Sequence, residues 1–255
     1  MGHMPVSARH LDPDFDSPPP RVPADTRVYA LGDIHGRLDL LQDIHEQIQA
    51  DATDGPTRQV LVYLGDYIDR GRQSFDVIEA LIHEPLAGFE SIHLKGNHED
   101  FLLRFLEHGE QGENWFFNGG VATLNSYRVA DVSMSDMYGD LDRVRDAFIA
   151  AMPAAHVAFY QRLKLMHSEA DYLFVHAGIR PGVPVSRQTD NDLMWIRGPF
   201  LHTDEVFPQF VVHGHTPEFE PVIRHNRIGV DTQAYRSGVL TCLVLEGSGQ
   251  RFLQT

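Results

Sequence analysis

The sequence predicts an α/β fold: two facing mixed β-sheets flanked by helices, with a helical cap-like insertion, all in a single domain over residues 26–255. Three observations predict it. A strand, a polar loop and a helix follow one another three times between Arg27 and Leu106. The stretch from about 110 to 165 is helical and aromatic in pattern. The last third is rich in short apolar runs punctuated by Gly, Asn and Ser.

The first unit is the apolar run Arg27–Leu31, a Gly-Asp turn, and then Leu38, Leu41, Ile44 and Ile48 at helical spacing. Gln59–Leu64 begins the second, whose loop GDYIDRG leads to a helix marked by Phe75, Ile78, Leu81 and Ile82. Ser91–Leu94, the loop KGNHED and a helix through Phe101, Leu102, Phe105 and Leu106 make the third. Such alternation implies a largely parallel sheet. Residues 110–165 (WFFNGG, VRDAFIAAMP, AFYQRL) form either a cap beside the site or a plain helical layer. Strands are expected at Tyr172–Val175, Phe210–Val212, Pro221–Arg224, Arg227–Val230 and Val239–Leu245, building the second sheet. Residues 1–25, with SPPPRVP, read as an extended, poorly ordered arm, and Met1–Met4 as an expression-vector remnant.

Composition narrows the function. The formal charge is −15, from 36 acidic and 21 basic residues, a field that repels nucleic acid. No apolar run reaches the roughly 18 residues a membrane span needs. Cys242 is the lone cysteine, which rules out an intramolecular disulfide and, with no secretory leader in view, suggests the cytoplasm. Its apolar setting, SGVLTCLVL, marks it as a core residue.

The polar clusters each follow a predicted strand: GDIHG, GDYIDRG, GNHED, HAG and HGHTP. In open α/β sheets ligands bind beyond the carboxyl ends of the strands, so five such loops can converge. Asp33 and His35 alternate along an extended segment and can point the same way. Asp66 offers two oxygens able to bridge two cations, Asn97 a carbonyl oxygen, and His176 and His215 imidazole nitrogens. Nitrogen and oxygen donors without thiolate suit Mn, Fe or Zn better than Ca or Mg; two divalent ions are expected, Mn first, with Fe, Zn or Mg as alternatives. Two cations about 3.5–4 Å apart clamp a phosphoryl group and acidify a shared water that attacks phosphorus.

As an ordered set, GDIHGR (32–37), GDYIDRG (65–71), GNHE (96–99), HAG (176–178) and GHTP (214–217) resemble the calcineurin-like metallophosphoesterases, and within them the bacterial and phage serine/threonine protein phosphatases. The resemblance implies that Asp33 and His35 hold the first metal, that Asp66 bridges, and that Asn97, His176 and His215 hold the second. It implies His98 as the general acid, Asp69 as its hydrogen-bond partner, and Arg70 and Arg197 (in MWIRGPF), with Asn97, as phosphate-binding groups. Relatives with Gly-His-x-His carry one more ligand where this chain has Pro217, which points to phosphomonoesters. His213 reads as a strand residue, and His45, His93, His156 and His167 as structural or surface groups.

Three functions compete at this level. The first is a serine/threonine protein phosphatase. The second is a symmetrical-type bis(5'-nucleosyl)-tetraphosphatase acting on diadenosine tetraphosphate, in which Trp115, Phe116 and Phe117 stack on adenine or simply pack in the core. The third is a metal-binding module without catalysis. The expected partner is a phosphoprotein or a phosphorylated small molecule; the oligomeric state is not legible.

Overall fold

The structure is a computed structural model and describes residues 18–129 and 140–255; Met1–Met4 lie outside that range. In chain order the first half contains β1 (Thr26–Leu31), α1 (Leu38–Ala52), β2 (Arg58–Tyr63), α2 (Ser74–His83), β3 (Phe89–His93), α3 (Asn97–His108) and α4 (Gly112–Trp115). A kinked turn (Phe116–Gly120) with a non-helical backbone at Gly119, α5 (Val121–Ser126), α6 (Leu141–Ala151) and α7 (Ala154–Gln161) follow. The second half has β4 (Met166–Glu169), β5 (Tyr172–Val175), α8 (Asp190–Trp195), α9 (Gly198–Leu201), β6 (Phe210–His213), β7 (Val222–Ile223), β8 (Arg227–Gly229), α10 (Ala234–Ser237), β9 (Thr241–Glu246) and β10 (Gly249–Gln254).

Two five-stranded mixed sheets result, in the orders β10-β9-β1-β2-β3 and β4-β5-β6-β8-β7. β1, β2 and β3 are parallel, and so are β5, β6 and β8. The first sheet is covered on both faces, which explains its unbroken apolar runs. Alternate residues divide between the faces. Tyr29, Leu31, Leu61 and Tyr63 join the helix-side core with Leu41, Ile44, Ile78 and Phe105. Val28, Ala30, Val60 and Val62 meet Tyr172, Phe174, Val212 and Ile228 between the sheets. Each such fully buried side chain contributes about 1.5–3 kcal/mol relative to exposure. The outer face of the second sheet packs Leu173, Val175 and Val211 against Leu193, Ile196 and Phe200.

The insertion extends the helix-side core rather than standing free: Trp115 stacks on Phe148 at 5.7 Å and contacts Phe105 at 5.3 Å. Its inner turn reaches the candidate site. Residues 18–25 differ from the expected loose arm. Val22 is buried and its N–H donates to the Gly247 carbonyl, the Arg21 N–H donates to Asp171, and the Tyr172 hydroxyl donates to the Pro20 carbonyl. An apolar side chain and three hydrogen bonds tie this stretch down, although its proline-rich composition shows no periodicity. Cys242 is buried in β9, as its setting implied.

Candidate metal centre and active site

Strands β1, β2, β3, β5, β6 and β8 all end on one edge of the sandwich, and each delivers a polar residue there. These are Asp33 and His35, Asp66, Asn97, His176, His215 and, after β8, Asp231. All seven side chains are buried. Five non-glycine residues here have left-handed backbones: His35 (φ 46°), Asp66 (52°), Asp69 (72°), Arg70 (65°) and His215 (63°). Side chains rarely adopt that conformation, and strain of this kind gathers at functional sites. It also corrects the extended reading of Asp33–His35: His35 enters the site from a tight turn, with its N–H donating to the Asp66 carbonyl.

Asp66 lies at the middle. One of its oxygens is 3.6 Å from His35 Nε2 and 3.8 Å from His98 Nε2, and the other is 3.4 Å from His176 Nε2. Two groups of donor atoms therefore share Asp66: His35–Asp66–His98 and Asp66–His176–His215, each within 4.8 Å. Asn97 Oδ1 closes the second, 2.9 Å from His176 Nε2 and 2.7 Å from His215 Nδ1. Asp33 stands outside both groups and faces His215, whose backbone N–H donates to its two oxygens at 3.2 and 3.1 Å.

Backbone carbonyls set two of the imidazoles. His35 Nδ1 is 2.8 Å from the Ile68 carbonyl, and His176 Nδ1 is 2.9 Å from the Leu64 carbonyl, leaving each Nε2 turned to Asp66. Histidine ligands of metals are oriented in this way. Burial drives His35, His176 and His215 below the usual imidazole range, so they stay neutral with a lone pair to give. Burial opposes the charge on Asp66, but the imidazoles around it, His176 first, outweigh burial and keep it ionised. Asp33 is pushed the other way by burial, then by Asp231 and Asp66. A cluster of buried carboxylates among neutral imidazoles is a donor set that divalent cations fit.

His98 and Asp69 lie in direct contact. His98 Nδ1 lies 2.6 Å from Asp69 Oδ2, and burial of the imidazolium is outweighed by Asp66 and by the Asp69 hydrogen bond, so His98 is held above its ordinary range. Arg70 Nη2 lies 3.2 Å from His98 Nε2. With His98 protonated on both nitrogens, the two groups present donors to one point, which a phosphate oxygen would satisfy. Arg197 forms no ion pair among the described residues; its Nε and Nη2 donate to His215 Nε2 and to the His215 carbonyl at 3.0 and 3.2 Å. His213 ends β6, buried and 3.0 Å from the Gly214 carbonyl, as expected for a strand residue.

Several contributors escaped the sequence reading. Glu99 is fully buried and accepts from the N–H groups of Asp66, Tyr67 and Gly96, each at 2.9 Å, tying two loops together. Trp115 Nε1 and Thr123 Oγ1 donate to Asp69 at 2.9 and 2.5 Å. Phe116 is core and Phe117 is exposed, so the aromatic trio does not act as one surface. Tyr235 lies edge-on to His35 and under the Arg70 guanidinium at 4.8 Å. Asp231 had a readable signal, an acid at the end of the apolar strand in RIGVD, like the other five loops. Trp115, Thr123 and Tyr235 had none, because only the fold brings them near.

Comparison with known proteins agrees with this geometry. The family model for calcineurin-like phosphoesterases matches residues 26–235. A bis(5'-nucleosyl)-tetraphosphatase PrpE [asymmetrical] of Bacillus thuringiensis (strain Al Hakam) is 26% identical over 234 residues, covering 84% of this chain and 88% of that protein. Serine/threonine-protein phosphatase 2 of Escherichia coli (strain K12) is 39% identical over 93 residues, 36% of this chain and 38% of that one. Among solved structures, the cold-active protein-tyrosine phosphatase of a psychrophile, Shewanella sp., shares the fold with a TM-score of 0.55 at 17% identity, covering 92% of this chain and 83% of that chain. With the family match spanning most of its length and the family's loops gathered at one sheet edge, this chain belongs to the calcineurin-like phosphoesterases.

Proposed function

We propose that the protein hydrolyses phosphoesters with two divalent cations, Mn first, held by Asp33, His35, Asp66, Asn97, His176 and His215. When bound, the cations offset the charge of the phosphoryl oxygens and acidify a water for attack. Asn97 and Arg70 bind the phosphoryl oxygens. Arg197 reaches them from beside His215. His98 donates its proton to the leaving oxygen, and Asp69 keeps that proton in place until the bond breaks. The observation that carries this reading is the buried His98–Asp69 pair at 2.6 Å, with Asp66 between the two donor groups. A binding module that merely holds metal has no need of such a pair.

The first substrate reading is phosphoserine or phosphothreonine in proteins. It is supported by the loop set and by the 93-residue similarity to the Escherichia coli phosphatase. A second reading, a dinucleoside polyphosphate, is favoured by the PrpE relative, whose similarity spans 84% of the chain. The test is hydrolysis of para-nitrophenyl phosphate, a good leaving group, and of an alkyl phosphate, a poor one, by manganese-loaded protein, compared with His98→Asn. That variant is expected to keep its metal content and lose about 10²–10⁴-fold in turnover of an ester with a poor leaving group. Normal turnover of such an ester would remove the basis for the general acid.

A further inference from the structure

A cavity of about 420 Å³ is lined by Arg70, Arg72, Val121, Ala122, Asn125 and Ser126. Arg70 belongs both to it and to the phosphate-binding site, because the same guanidinium touches His98 Nε2 at 3.2 Å. The leaving oxygen is protonated at His98, so the group attached to that oxygen departs beside Arg70, where the cavity begins. Ser126 Oγ is already engaged, with the Thr123 carbonyl and the Phe75 N–H. The side chains of Arg72 and Asn125 have no hydrogen bond or ion pair among the described residues, and both are exposed. Arg70 and Arg72 set two guanidiniums two residues apart, in a chain of net charge −15. The kinked turn holds the Arg70 backbone, since the Gly119 carbonyl accepts from the Arg70 N–H.

We propose that this cavity is the leaving-group subsite and that Arg72, with Asn125, binds a second phosphate of a polyphosphorylated substrate of the nucleoside polyphosphate class. A guanidinium fork suits a phosphate whose neighbour is held by Arg70. The volume lies within the range of small-ligand pockets, and Val121 and Ala122 offer an apolar wall to the remainder of the ligand. Hydrolysis there breaks the bond between the attacked phosphorus and the bridging oxygen. The oxygen of one water ends on that phosphorus. The bridging oxygen leaves on the second phosphate with the His98 proton, and the proton released by the water restores His98. The inference rests on the phosphoesterase chemistry proposed above and deepens its second substrate reading.

The experiment compares wild type, Arg72→Ala and Arg72→Lys in two ways. Calorimetry on manganese-loaded protein, with matched manganese in both solutions, measures methylenediphosphonate against methylphosphonate. Wild type is expected to prefer the two-phosphonate probe, and Arg72→Ala to lose that preference by about tenfold, with partial recovery in Arg72→Lys. The ratio of kcat/KM for ATP to that for para-nitrophenyl phosphate is expected to fall by about as much. An unaltered binding preference in Arg72→Ala overturns the subsite, as does a wild type that favours an acidic phosphopeptide over ATP through Arg72. Wild type that binds both phosphonates but hydrolyses neither ester would defeat the chemistry alone, and the binding ratio would still decide the subsite.

Discussion

The carboxylate of Asp69 is fully buried and accepts hydrogen bonds from His98, Trp115 and Thr123. A buried charge is tolerable when its lone pairs are so engaged, and removing the charge alters the partner that depends on it. The proposed general-acid role requires a protonated His98, so activity is expected to fall as pH rises through its pKa. Burial lowers that pKa; Asp66 and Asp69 raise it above the ordinary imidazole value. Asp69→Asn keeps the shape and removes one of the two opposing charges. The alkaline limb of the kcat profile is therefore expected to move to lower pH, with turnover reduced on the order of 10–100-fold. A profile with its limb unmoved would mean that Asp69 does not set the state of His98. The six metal-ligand candidates, His98 and Arg70 were legible because each occupies a short loop behind an apolar run. Trp115 and Thr123 were not, since a hydrogen bond spanning 46 or 54 residues of chain leaves no local pattern.

At the scale of elements, the kinked turn between α4 and α5 sets Gly119 against Arg70. Gly119 has φ of 106°, and a Cβ there would come within 2.7 Å of the Arg70 backbone nitrogen. Gly119→Ala is expected to cost about 1–3 kcal/mol in stability and to displace Arg70. Weaker phosphate product inhibition together with a lower Tm would show both effects, whereas a variant of unchanged Tm and inhibition would mean that the turn does not position the arginine. The first three strand–loop–helix units matched the sequence expectation closely because both faces of their sheet are covered and the apolar runs are unbroken. Strands β4 and β10 were not anticipated. Their residues, MHSE and GQRFLQ, are mostly polar and form the outer strands of their sheets, where one side of the strand has no partner. Residues 18–25 were misjudged for the opposite reason: a single buried Val22 and backbone hydrogen bonds fix a stretch with no periodic pattern at all.

For the molecule as a whole, the candidate centre concentrates charge that folding alone does not neutralise. Asp33 and Asp231 are buried near one another and near Asp66; burial raises the proton affinity of both, helped by repulsion from Asp231 and Asp66 at Asp33 and from Asp66 at Asp231. A carboxyl whose folded-state pKa is raised stabilises the fold most while it keeps its proton. Above its unfolded value near 3.8 the folded state holds more protons than the unfolded chain, so metal-free stability declines as pH rises through the folded-state pKa values. Cations bound only by the folded chain act in the opposite sense, adding about 2.7 kcal/mol at a free concentration one hundred times Kd. For a domain of this size that corresponds to a rise in Tm of roughly 5–10 °C. Chelation is therefore expected to lower Tm by several degrees at pH 7.5 and by less at pH 5, where Asp33 and Asp231 hold protons and repel their neighbours less. Asp231→Asn should reduce the pH dependence of the metal-free protein, read by calorimetry across that range. Equal chelation effects at both pH values would mean that repulsion among these carboxylates is not what the bound ions relieve.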